Sequence, residues 1–157
     1  MAASAGCDQY GPVLPVAPGA LADFAGLWLV ERRIEDHLAG RTVAGAGRAL
    51  LAGDGAGGLR HDETLTLQLD GQERPLTGVQ TYLWVQAGDH VEVRFSDGRR
   101  FHRFALGVAS TGDVHDCAPD RYSGRYDFAR WPDWQVQWKV AGPRKNYLMV
   151  TRYRRPG

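Results

Sequence analysis

Lysine is almost missing from this sequence. Of 19 basic residues only Lys139 and Lys145 are lysine, and the rest are arginine. GC-rich codon usage accounts for part of that bias. It gains meaning only where a planar, permanently charged guanidinium has a place to act. Cysteine is equally scarce: Cys7 and Cys117 are too few for a disulfide scaffold and predict a reduced, cytoplasmic chain. Neither charge is in excess. With 19 basic and 18 acidic groups the net charge is +1, which argues against a nucleic-acid or acidic-membrane partner. No run of 18 apolar residues is present, so no membrane-spanning helix is expected. The first 20 residues lack the charged and apolar regions of a signal peptide. Amphipathic helix periodicity is absent too; at most a turn or two fits around 18–24.

What the sequence does have is alternation. Its 157 residues suit one domain with a real core, expected over 21–157 behind an irregular arm at 1–20. In 59–70, Leu59, His61, Glu63, Leu65, Leu67 and Leu69 alternate with Arg60, Asp62, Thr64, Thr66, Gln68 and Asp70. That is a strand with one apolar face, and Asp70-Gly71 supplies the turn after it. Val91, Val93 and Phe95 repeat the pattern before the Asp97-Gly98 hairpin signal, with 99–106 as the returning partner. Segments 122–128, 134–140 and 145–154 continue it, and 24–35, 41–53 and 77–86 precede it. The total is eight to ten short strands in series. A meander of that many strands exposes two edges unless it closes, so a single antiparallel up-and-down β-barrel is predicted, with a sandwich as the alternative. Barrels of this size can hold one small ligand.

Gly26-x-Trp28 is similar to the opening of a lipocalin, where the Trp plugs the barrel base. The resemblance implies a basic residue from the last strand packed across it, with Arg152 or Arg154 as candidates. A wider set of motifs comprises Arg32 and Ile34; Tyr82-x-Trp84; Asp97-Gly98-Arg99-x-Phe101-His102; His115-x-Cys117-x-x-Asp120-x-Tyr122; and Gly142-Pro143-Arg144-Lys145-x-Tyr147. Over roughly 22–155 these resemble a lipocalin-like (calycin) family, bacterial and fungal, of unknown function. The resemblance implies the fold and carries no activity. Only Leu38–Arg41 separate the first two strands, which leaves no room for the helical lid of fatty-acid-binding proteins. The motifs of nitrobindin-like haem binders are absent, and no cofactor is expected.

Several constellations could carry chemistry. His61 and Glu63 share the leucine-bearing face about 7 Å apart, where they would act as base and orienter or simply sit at the rim. The parity of Trp28 turns Arg32 inward, where a buried guanidinium needs a partner: Glu63 is the natural one, in a salt bridge closing one barrel end, or else an anionic ligand oxygen. His115, Cys117 and Asp120 lie close together. Asp120 orienting His115 or a Tyr hydroxyl is the favoured reading there, ahead of a metal site, which lacks a further ligand at defined spacing, or a nucleophilic Cys117. Parity with Phe104 turns His102 inward and Phe101 outward. Tyr82, Trp84, Tyr122, Tyr126 and Trp138 would line a site for a flat organic ligand or else plug the barrel.

The function expected from these groups is a cofactor-independent enzyme of cyclase, isomerase or dehydratase type. It would act on a small hydrophobic or aromatic molecule inside the barrel, with Arg32, His61, Glu63, His115 and Asp120 as the catalytic candidates. The alternative is a non-catalytic carrier with the same groups as anchors, and a filled, partner-binding barrel is the third reading. The sequence leaves a homodimer open.

Overall fold

Each alternating segment forms a strand in the computed structural model, which describes residues 17–69 and 71–157. The arm expected at 1–20 lies outside the described residues except for its last four, and so does Asp70. One turn of 3₁₀ helix, Leu21–Phe24, is the helical turn expected around 18–24. Ten strands follow: β1 (Gly26–Asp36), β2 (Arg41–Gly53), β3 (Leu59–Gln68), β4 (Leu76–Ala87), β5 (His90–Phe95), β6 (Arg100–Ala105), β7 (Ser110–Cys117), β8 (Asp120–Asp127), β9 (Trp134–Gly142) and β10 (Lys145–Arg154). Among the described residues, no helix is long and apolar enough to cross a membrane.

All ladders are antiparallel, in the order β6-β5-β4-β3-β2-β1-β10-β9-β8-β7. Pairing of β1 with β10, from Leu29↔Arg154 to Asp36↔Tyr147, wraps the meander into a barrel. The two ends of the sheet, β6 and β7, carry no strand ladder between them. Side chains of β7 bridge that seam instead: Asp113 Oδ2 accepts from the Arg103 N–H at 2.9 Å and Thr111 Oγ1 from the Ala105 N–H at 3.0 Å. The edge donors that would otherwise be exposed are thereby satisfied.

Aromatic side chains plug one end. Trp28 and Phe24 are fully buried, and Trp28 Nε1 donates to the Phe24 carbonyl at 2.8 Å. Phe24 meets the edges of Trp84, Phe104, Phe128, Trp131 and Trp134 at centroid distances of 5.2–5.8 Å. The basic residue across Trp28 is Arg155, in place of the expected Arg152 or Arg154. Its guanidinium carbon lies 3.7 Å from the indole centroid, and Nη1 and Nη2 donate to the carbonyls of Leu27 and Asp23. Strand parity explains the change. Arg152 and Arg154 sit on the outer face of β10, whereas Arg155 follows the strand's end and is free to turn under the barrel. Gly26 makes room for it: at φ +114 it has no side chain, and a Cβ there would lie 2.7 Å from Arg155 Nη1.

Charges on the outer face pair locally, as Arg60 does with Asp62 at 2.8 Å. One departure from strict alternation shapes the interior. The β5–β6 register runs Val93↔His102 and then Arg94↔Arg100, leaving Phe101 as an extra residue in a bulge. Phe101 stacks on Phe95 at 4.7 Å and faces inward beside His102, so the outward orientation expected for it is corrected.

Candidate functional site

Between the aromatic plug and the opposite end lies a cavity of about 240 Å³. Arg32, His61, Glu63, Tyr82, Trp84, His102, Tyr126 and Trp138, all singled out from the sequence, line it. Gln80 and Phe101 line it near the opposite end, where β4 extends past β5: β5 pairs with β4 from Tyr82 onward, and Leu76–Gln80 are exposed.

Ionised groups in the barrel wall make one connected set. Arg32 Nη2 donates to Glu63 Oε1 at 2.5 Å, and Arg32 Nε donates to Thr151 Oγ1 at 2.8 Å. The Tyr153 hydroxyl donates to Glu63 Oε2 at 2.8 Å. His61 Nε2 stands 3.5 Å from the same Oε2, beyond a formed hydrogen bond. Glu63 is almost wholly buried, which alone would push its carboxyl up. His61, the Arg32 charge and the Tyr153 hydroxyl outweigh burial and hold it down at about 2. The carboxylate is therefore a fixed charge. Burial pushes the Tyr82 hydroxyl up to about 12, reinforced by the Glu63 charge, and lifts the Tyr153 and Tyr126 hydroxyls well above the usual phenol range. Burial also lowers His102 to about 3, so its imidazole is neutral, and its Nε2 is 2.7 Å from the Tyr126 hydroxyl.

Five buried polar atoms find no partner among the described residues: both ring nitrogens of His61, Nδ1 of His102, and the indole N–H groups of Trp84 and Trp134. All four residues line the cavity. Buried polar atoms are paired in the great majority of cases, so their concentration here marks the cavity as a place for polar atoms of something else. Chemically, the site offers one imidazole with both nitrogens unpartnered among the described residues beside a stable ion pair, together with neutral hydroxyl and indole donors.

His115, Cys117, Asp120 and Tyr122 do not line this cavity. His115 packs against Phe101 at 5.2 Å and Phe95 at 6.0 Å, and Cys117 is exposed at the end of β7. Asp120 pairs with Lys145 at 3.3 Å, and Lys145 donates to the Tyr122 hydroxyl at 2.9 Å. Asp120 thus reaches a tyrosine through a lysine. Thr151, Tyr153 and Gln80 were not among the sequence candidates. The first two share the inward parity of Tyr147 and Met149 on β10, which was the available signal.

Two solved structures share this frame. An S-type phycobiliprotein lyase from Guillardia theta superposes with a TM-score of 0.60 at 10% identity, over 87% of this chain and 90% of its own. A DUF3598-family protein of unknown function from Nostoc punctiforme gives 0.56 at 11% identity, over 90% of this chain and 51% of its own. Such likenesses show the barrel fold. No curated protein matches the sequence. The family model that does match covers residues 24–155, from the plug to Arg155, and the chain accordingly belongs to DUF6314, a family of unknown function.

Proposed function

We propose that the barrel takes a small hydrophobic or aromatic organic molecule into its central cavity and that His61 moves a proton on it. The observation that carries this reading is the His61 imidazole: both nitrogens lack a partner among the described residues, at a cavity, 3.5 Å from a carboxylate that cannot leave its ion pair. Imidazole is the usual proton-transfer group of enzymes. In this scheme His61 takes a proton from the bound molecule, and Glu63 offsets the charge that the imidazolium gains. Arg32 Nη1, which makes no hydrogen bond among the described residues, is left to donate to the oxygen where negative charge develops. Tyr82, neutral and half-buried, supplies a hydrogen bond. His61 then returns the proton elsewhere on the molecule, which gives isomerisation, cyclisation or, with loss of a hydroxyl as water, dehydration. The fold shared with a phycobiliprotein lyase is consistent with a barrel that handles an organic molecule, and the reading does not rest on it.

Native mass spectrometry of the purified protein tests it first, by seeking a non-covalently held organic molecule. That molecule, incubated in D₂O, should take up deuterium or convert with the wild type and not with His61→Gln, while both proteins bind it. Binding without exchange by either protein would make this a carrier. A barrel that holds nothing and whose tryptophan fluorescence no small aromatic compound changes would end the proposal.

A further inference from the structure

The unpartnered donors say what kind of molecule fits. We infer that the cavity is built for an uncharged aromatic compound of one or two rings bearing carbonyl oxygens, which the cavity floor reads with N–H donors. This rests on the cavity being a ligand site, as proposed above, and narrows the class of ligand.

Size comes first. A cavity of about 240 Å³ exceeds the roughly 150 Å³ void known to admit benzene. It is small beside the several hundred Å³ typical of sites for large ligands. Chemistry of the floor comes second. Trp84 and Trp134 each touch the buried Phe24 ring and line the cavity, so they form its lower boundary. Neither indole N–H meets an acceptor among the described residues, and an indole can only donate. His102 adds a third donor. The Tyr126 hydroxyl is 2.7 Å from His102 Nε2 and has no other acceptor among the described residues, so it donates to that nitrogen. The neutral ring then carries its proton on Nδ1, which is buried and also without a partner. A molecule with acceptor oxygens on one edge satisfies these groups; a plain hydrocarbon leaves them stranded.

Charge comes third. A full carboxylate needs a cation whose charge is not already offset, and the charge of the Arg32 guanidinium is balanced by Glu63, which leaves Nη1 as a hydrogen-bond donor only. An ammonium needs an uncommitted anion, and Glu63 is already held by Arg32 and Tyr153. An uncharged ligand disturbs neither partner. Flat rings suit the walls, where Phe101 and Trp138 stack at 5.1 Å and Trp134 and Tyr153 at 3.8 Å. A carbonyl also gives the proton chemistry of His61 a place to end. When His61 takes the proton from the carbon next to it, the electron pair moves onto the carbonyl oxygen, and the enolate so formed regains a proton at carbon from the imidazolium.

Four bicyclic probes separate the possibilities: chromone with a carbonyl edge, naphthalene with none, 1-naphthoate with a charge and 1-naphthylamine with a donor. Affinities come from ligand-observed NMR titration of the full chain. Chromone should bind about tenfold more tightly than the other three, the gain of about one good hydrogen bond to a buried donor. Trp84→Phe keeps an aromatic ring, though a smaller one, and removes the N–H. It should weaken chromone about fivefold and leave naphthalene unchanged, with circular dichroism confirming the fold. Naphthalene binding as tightly as chromone would overturn the donor floor and leave the cavity as a ligand site. Tightest binding of 1-naphthoate would overturn the uncharged class and make Arg32 the anchor. Failure of all four to bind would overturn the ligand site itself.

Discussion

Arg32 on β1 and Glu63 on β3 form their ion pair across an intervening strand. Between them β2 presents Gly45, Gly47 and Ala49 to the interior, so nothing larger than a methyl group stands in the way of a guanidinium reaching from one strand to the next but one. With Thr151 and Tyr153 from β10, three strands of the wall, β1, β3 and β10, are tied by three hydrogen bonds at the level of the cavity.

Removing one partner leaves a buried charge alone. Arg32→Met and Glu63→Gln should each destabilise the fold by about 3 kcal/mol, and the double variant should lose clearly less than the sum. Urea unfolding of the four proteins gives the coupling; additive losses would mean that the pair contributes nothing.

Acid should unfold this protein in two stages. His102 drops from 6.5 in the unfolded chain to about 3 in the fold, so the unfolded state takes up the proton first and stability falls as the pH goes below 6.5. Glu63 is held at about 2 against 4.5 unfolded; its contribution is complete above 4.5 and is lost as the pH falls toward 2. Thermal melts from pH 7 to 3 should show a decline that His102→Phe removes in its upper part and Glu63→Gln in its lower part.

His61→Gln should leave the fold and ligand binding intact and reduce proton exchange on the bound molecule about 100-fold or more. Asp120→Asn, away from the cavity, should leave exchange within a factor of two or so on the same reasoning. Deuterium incorporation followed by mass spectrometry measures both, and equal loss in both variants would remove His61 from the chemistry.

The base clamp offers a separate test. Arg155→Ala loses the cation–π contact and two hydrogen bonds to carbonyls, and should lower stability by about 1–2 kcal/mol. Gly26→Ala faces both a positive φ and the Arg155 guanidinium, with a comparable loss of about 1–2 kcal/mol. Tryptophan emission should shift toward the red in both as Trp28 meets water.

Gly47 is packed against β3. A Cβ there would fall 1.9 Å from the Thr64 carbonyl oxygen, so Gly47→Ala must displace backbone. A loss of more than about 2 kcal/mol in urea unfolding is expected, and a neutral effect would mean that the two strands separate freely.

Which of these features were readable beforehand follows the physics of the strand. Where the chain alternates without interruption, one inward residue fixes all the others. Trp28 thus placed Arg32, and the leucines of β3 placed His61 and Glu63, because side chains on a strand repeat every two residues. Phe101 escaped this reasoning because a bulge shifts parity by one, and nothing local in 99–106 announces it. Arg155 escaped it because the residue past a strand's end has no parity. Clustering around His115 suggested a site, yet nearness in sequence at the end of β7 and start of β8 left Cys117 exposed and tied Asp120 to Lys145.

The sequence by itself determined an all-β meander, its turns and the inward faces of its strands, since these depend on alternation and on a few glycines between neighbours in the chain. Only the tertiary structure decided that the barrel closes through β1 and β10, that Arg32 reaches Glu63 over a stretch of β2 presenting only glycine and alanine inward, and that four residues with polar atoms line one cavity with five of those atoms unpaired among the described residues. Those contacts join residues far apart in the chain, 119 positions for Arg32 and Thr151 and 125 for Leu29 and Arg154. Their distances are set by closure and register, which no local pattern encodes.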